Sequence, residues 1–255
     1  MKVFDLLMPC YNEEKHLDKI IEKIIILKEK LKLVNKDLNL IIIDDASKDN
    51  SLNIILNYSQ KYSWIKVLKH PVNMGKGAAL KTGFNSCTGD YIGIQDADTE
   101  YNPINYLSLL EIMEDKNVDV VYGSRYLKKN KNLCFWHTLM NKFLTFLSNL
   151  FLGMYVSDVE TCYKLFSQKA IKNISSKLKE NRFGFEIEIT AHVVKEKYKI
   201  IEHPVDYNPR SYSEGKKITY KDGISALRCI LKYSSKKRLF ILIMLFSILC
   251  YILLK

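Results

Sequence analysis

None of the six cysteines, Cys10, Cys87, Cys134, Cys162, Cys229 and Cys250, is spaced as Cys-x-x-Cys from another. That scatter argues against a disulfide framework or a cysteine-built zinc site and suits a reducing compartment. Repeats and low-complexity tracts are missing too, which leaves an ordinary globular composition. The stretch "NMGKGAA" fails the G-x-x-x-x-G-K-[ST] spacing, so a P-loop is excluded. No G-x-G-x-x-G follows the first apolar run, which excludes the dinucleotide fingerprint. Helix-turn-helix, RNP and zinc-finger patterns are lacking, so nucleic acid is not an expected partner. The apolar run at 3–8 is too short for a secretory signal and has no cleavage site.

What remains is a chain of 255 residues, long enough to bury a full core. Its net charge of +11 is unevenly spread. Residues 1–124 carry 15 Lys and Arg against 18 Asp and Glu, whereas 125–238 carry 23 against 10. A basic half suits an anionic membrane or a phosphorylated substrate, beyond solvated lysines alone. The uncharged run "LFILIMLFSILCYILL" at 239–254 directly follows "KKR". As a helix it would be about 24 Å long, short against a hydrocarbon core of about 30 Å, so a buried core helix is an alternative. Being apolar on every face and placed after a basic cluster, it is read as a membrane anchor. The catalytic body is then expected on the cytoplasmic side.

Apolar runs at 3–9, 38–44, 65–70, 91–95 and 118–124 alternate with helical patterns at 13–31, 50–61, 75–87 and after Pro103. Such alternation predicts an α/β fold with a mostly parallel sheet between helices. Ligands of these sheets sit beyond the carboxyl ends of the strands. Those ends carry "PCYNEE", "DDASKD", "DAD" and "GSRY". Tyr11 and Glu13 could hold a base, and Asp44 or Asp45 could accept from a base or ribose. Asp45 and Ser47 are also candidate helix caps. Arg125 offers a forked cation for phosphate.

Asp96 and Asp98 stand two apart after an apolar run, and in extended backbone they share a face. Two adjacent carboxylates repel unless a cation lies between them, and a hard one such as Mg²⁺ or Mn²⁺ would suit. The alternative is an acidic cap for the helix that Pro103 opens.

The ordered motifs "MPCYNEE", "IIIDDASKD", "NMGKGAALKTGF", "GDYIGIQDADTEYNP" and "VVYGSRY" resemble the family 2 glycosyltransferases of GT-A fold. The later "SDVETCYKLF", "RFGFEIEITAHV" and "HPVDYNPRSYSEGKKITYKDG" are similar to those of polyprenyl-phosphate sugar transferases of the dolichyl-phosphate mannose synthase type. This resemblance implies a catalytic domain over 1–232, whereas the basic cluster and membrane anchor over 233–255 are read from their residues alone, because the family varies there. It implies that Pro9, Tyr11, Glu13, Asp45, Gln95 and Ala97 line the nucleotide pocket. Asp96 and Asp98 become the metal-binding pair, and Arg125, Arg210 and Lys216 the partners of donor and acceptor phosphates. The chain departs from the commonest pattern at Ala46, where glycine or asparagine is frequent; because Ala is small, little change is expected.

The implied reaction is inverting transfer of a hexose from a nucleotide-diphosphate sugar to a polyprenyl (dolichyl or undecaprenyl) phosphate. A hydroxyl acceptor would need a general base, for which Asp158 and Glu160 are the candidates. A phosphate monoester, with a second pKa near 6, would not. With that acceptor the two acids are expected to orient the sugar or a basic neighbour, or to sit in an exposed loop. The loop 210–218 with Arg210, Lys216 and Lys217 suits a lid over phosphates. The apolar stretch 133–154, interrupted by His137, Asn141 and Lys142, reads as interfacial helices rather than a span. His137 or Lys142 could reach an acceptor phosphate. Two other readings stay open: sugar transfer to a hydroxyl of a lipid-linked or surface polysaccharide, and a non-catalytic nucleotide-sugar-binding membrane protein.

Overall fold

The computed structural model describes residues 1–130, 133–210, 220–235 and 238. Strands β1 (Lys2–Cys10), β2 (Lys36–Asp44), β3 (Ile65–Lys69) and β4 (Tyr91–Ile94) alternate with helices α1 (Leu17–Leu33), α2 (Ser51–Lys61) and α3 (Lys76–Phe84). Then come α4 (Tyr106–Asp115), β5 (Val120–Ser124), α5 (Phe135–Ser148), β6 (Lys164–Ser167), α6 (Gln168–Ile174), α7 (Phe185–Lys195), β7 (Ile200–Pro204) and α8 (Tyr220–Tyr233). One seven-stranded sheet runs β3-β2-β1-β4-β6-β5-β7, parallel except for β6.

The largely apolar runs of β1 and β2, interrupted inside by Asp5 and Asn39, follow from burial on both faces. Phe4, Leu6 and Met8 of β1 and Leu40 and Ile42 of β2 pack on one side with Ile20, Ile24 and Leu27 of α1. Leu7, Ile41 and Ile43 point to the other side, against Leu80 of α3 and Phe185 and Ile189 of α7. A third cluster joins Leu144 of α5, Ile187 of α7, and Ala226, Cys229 and Ile230 of α8.

Differences from expectation have local causes. Residues 13–16 form a turn, not helix: the Glu13 carbonyl accepts from both His16 N and Leu17 N. Strand β5 begins at Val120 because Val118 N is still bonded to the Met113 carbonyl at the end of α4. Ala46 has φ +60°, the left-handed region that favours glycine, so its replacement of Gly or Asn carries a backbone cost after all.

The stretch 133–154 forms α5 and a π-helical turn, Asn149–Gly153. Leu144 and Ser148 of α5 face the body, whereas Phe135, Trp136, Leu139, Met140, Phe143 and Phe146 are exposed. Lys142 stacks over the Tyr126 ring at 5.7 Å, and His137 is half-buried. Among the described residues no helix is long and apolar enough to cross a membrane. The tail 239–254 lies outside the described residues, as do Lys216 and Lys217.

Candidate active site

A cleft of about 700 Å³ opens at the carboxyl ends of β1, β2 and β4. Pro9, Cys10, Tyr11 and Glu13 line it from β1, Asp45 from β2, and Asp96, Ala97, Asp98 and Glu100 from β4. Asn73, Gly75, Lys76, Ala79, Arg182, Phe183, Arg210, Asp222 and Ser225 complete the wall.

Aromatic packing sets the floor. The Tyr106 hydroxyl donates to the Ile94 carbonyl at 2.5 Å and accepts from Ile94 N at 3.0 Å, at the last residue of β4. Tyr163 stacks on Tyr101 and Tyr106 at 4.5 and 4.7 Å, and its hydroxyl donates to Gln95 Oε1. Gln95 is therefore turned into the core and does not line the cleft, contrary to its expected role in substrate binding. Beyond it, Asp96 and Asp98 lie in a loop rather than in strand, yet both face the cleft. Neither caps the following helical turn, because Asn102 does so by accepting from Ile104 N. Nor do Asp45 and Ser47 cap α2, whose N-cap residue is Asn50.

Asp45 is a structural clamp. Its carboxylate accepts from Met74 N at 2.8 Å and Gly75 N at 2.7 Å, and pairs with His70 Nδ1 at 2.7 Å. The chain entering α3 is thereby pinned to the end of β2. Gly75 has φ +97°, and a Cβ there would lie 2.4 Å from the Asn181 carbonyl, so close approach demands glycine. This packing brings Lys76 into the cleft and Arg182 and Phe183 over it.

Two cations face the paired acids. Lys76 Nζ lies 2.8 Å from Asp96 Oδ1 and 3.1 Å from Glu186 Oε1. Arg210 reaches Asp98 Oδ2 at 2.7 Å and Glu13 Oε2 at 3.0 Å. Glu100 places Arg210 there: it accepts from Arg210 N at 2.8 Å and from the Tyr207 hydroxyl at 2.9 Å. Burial works against a charged Asp96, but Lys76 outweighs it and holds the carboxyl below its ordinary value. Burial, then Asp96 and Glu100, push Asp98 up to about 7 against the pull of Arg210.

The donor chemistry fits a hard divalent cation, because the cleft presents oxygen ligands with surplus negative charge. Among the described residues no three His, Cys, Asp or Glu enclose a metal. A cation here would thus have to draw its remaining ligands from substrate phosphates and water, as Mg²⁺ commonly does.

Arg125, Asp158 and Glu160 do not line the cleft. Arg125 is buried and clasped by the fully buried Asp158, so its guanidinium is not presented to the cleft and Asp158 is not in an exposed loop. Glu160 Oε1 is buried without a hydrogen-bond partner, and burial followed by Glu186 pushes its carboxyl up to about 7. Sequence reasoning gives no role to Lys76, although "NMGKGAALKTGF" is among the ordered motifs, nor to Arg182, Phe183 and Glu186 of "RFGFEIEITAHV".

The parallel sheet, its single antiparallel strand and the cleft at the carboxyl edge define a GT-A-like α/β protein. The chain belongs to glycosyl transferase family 2: residues 5–175 match that family. It is 30% identical over 213 residues to a dolichyl-phosphate beta-glucosyltransferase of Trichomonas vaginalis, covering 79% of this chain and 64% of that protein. It is 30% identical over 198 residues to one of Dictyostelium discoideum, covering 72% and 60%. The chain thus spans less than two thirds of the length of these curated relatives. Glucosyl-3-phosphoglycerate synthase of Mycobacterium tuberculosis, solved with Mn²⁺, UDP and glucosyl-3-phosphoglycerate, has a similar fold. Its TM-score is 0.67 at 17% identity, over 91% of this chain and 80% of that one. S. aureus TarS residues 1–349 with UDP gives 0.59 at 16%, over 91% and 65%.

Proposed function

We propose that this chain transfers glucose, with inversion, from a nucleotide-diphosphate sugar to a polyprenyl phosphate at a membrane surface. The names of the relatives support both the hexose and the acceptor. The Mn²⁺ and UDP held by the similarly folded synthase support a uridine nucleotide and a divalent cation.

The nucleotide lies along Pro9, Tyr11 and Ala97, with the diphosphate beside Arg210. Bound by Asp96 and Asp98, a divalent cation would neutralise charge developing on the leaving diphosphate. Arg210 exchanges its carboxylate partners for phosphate oxygens and stabilises the same charge, usually the largest catalytic contribution. Tyr11 and Glu13 hold the base and ribose.

The observation that carries the acceptor assignment is the commitment of Asp158 to Arg125. With Asp158 paired and Glu160 off the cleft, neither carboxylate expected as the base for a hydroxyl faces it. A phosphate monoester is already largely dianionic at neutral pH and needs none.

Membrane attachment is proposed through the run 239–254 and the exposed aromatic face of α5, with the catalytic body on the cytoplasmic side, where anionic lipids attract the basic half. Incubating membranes that contain the protein with radiolabelled UDP-glucose, UDP-GlcNAc and GDP-mannose in parallel tests the donor. Label entering the organic phase from UDP-glucose alone is expected. Preference for another sugar would overturn the hexose assignment.

A further inference from the structure

Glu186 is a buried carboxylate in the first turn of α7 with two lysines directed at it. Its Oε2 accepts from Lys164, which is completely buried and also donates to the carbonyls of Val159, at 3.0 Å, and Thr161. Its Oε1 lies 3.1 Å from Lys76 Nζ yet makes no hydrogen bond. The Lys76 ammonium lies closer to Asp96, at 2.8 Å. One lysine thus stands between two carboxylates, ion-paired with both and closer to Asp96.

That geometry matters when a divalent cation approaches Asp96. Lys76 then faces a like charge at short range and must move off the carboxylate. A buried ammonium without a partner is costly, so Lys76 would resist leaving unless a second acceptor were in place. Glu186 Oε1 is such an acceptor, already 3.1 Å from the ammonium and without a hydrogen bond of its own.

We propose that Glu186 is a positioning residue that accepts the Lys76 ammonium when Asp96 is given over to a divalent cation. This rests on the reading of Asp96 and Asp98 as the cation site. Lys164 holds Glu186 in place and ties it, through the two carbonyls, to the segment bearing Asp158 and Glu160.

Mn²⁺ affinity, read by water-proton relaxation with UDP present, tests the exchange without turnover. Glu186→Gln should weaken Mn²⁺ binding on the order of tenfold, in the usual range for coupled sites. Lys76→Met removes the competitor, so adding Glu186→Gln to it should change Mn²⁺ affinity less than about threefold, a coupling that a merely structural role would not produce. Because Glu186→Gln strands Lys164 and could impair folding, Lys164→Met combined with Glu186→Gln removes one charge of each sign; it should show the same tenfold loss. Equal Mn²⁺ affinity in wild type and in either folded Glu186→Gln variant, or a tenfold loss that persists in the Lys76→Met background, overturns the proposal. Failure of the wild type itself to bind Mn²⁺ overturns the cation site and this inference with it.

Discussion

Arg125 and Asp158 form a buried two-pronged ion pair. Nε donates to Oδ2 and Nη2 to Oδ1, each at 2.7 Å, while the Arg125 backbone N–H donates to Oδ2 at 3.0 Å. Burial lowers and Asp158 raises the guanidinium's proton affinity; the pairing wins, and Arg125 stays charged. Removing one partner strands the other charge in the interior. Asp158→Ala should therefore lower the unfolding free energy by about 3–5 kcal/mol, measured by urea denaturation. A loss under 1 kcal/mol would mean the carboxylate is free for chemistry.

Substituting the paired acids should separate chemistry from folding. Asp96→Ala and Asp98→Ala should each reduce turnover by at least 10²–10³-fold and abolish Mn²⁺ binding, while the thermal midpoint stays within a few degrees. Undiminished transfer in EDTA by either variant contradicts the cation site.

Arg210 holds Glu13 and Asp98 together across the mouth of the cleft. Arg210→Ala should cost roughly 10²–10³-fold in kcat through the lost charge on the leaving diphosphate. Arg210→Lys should recover only part of it, because an ammonium cannot reproduce the fork. A near-normal kcat for Arg210→Ala would make the residue a structural bridge.

Glu160 gives a pH dependence of stability. Its folded carboxyl titrates at about 7, above its ordinary 4.5, so between those values the folded chain holds more protons than the unfolded one. Stability from this group therefore falls as pH rises from 4.5 to 7 and is level outside that window. Glu160→Gln should flatten this decline and exceed wild type above pH 7 by on the order of 1–3 kcal/mol. Parallel curves for the two proteins from pH 4.5 to 8 would show that Glu160 is solvated.

Much of this architecture is legible in the sequence, and what is not has physical reasons. The parallel strands declare themselves by largely apolar runs, since both faces of β1 and β2 are buried. Strand β6 escapes because four residues inside "CYKLFSQ" leave no period to read. Asp96, Asp98 and Arg210 reach the cleft as their residue types suggest. Arg125 and Gln95 do not, because the partners that turn them inward, Asp158 and Tyr163, are distant in sequence. Lys76 and Glu186 meet only through tertiary packing, 110 positions apart, and no local pattern announces such a pair. Ala46 shows how a small change in side chain can conceal a backbone demand. Ala46→Gly should raise the unfolding free energy by about 0.5–1 kcal/mol, because glycine occupies φ +60° without strain.

The central claim is transfer of glucose to a lipid phosphate, and the linkage of the product tests it most directly. Purified protein in polyprenyl-phosphate vesicles is supplied with labelled UDP-glucose and Mg²⁺ or Mn²⁺, and the organic-phase product is treated with mild acid. A glucosyl phosphate should form only when the polyprenyl phosphate is present and should release free glucose under those conditions. An acid-stable glycoside on a hydroxyl acceptor, or no lipid-linked label with wild-type protein that binds UDP, would contradict the account.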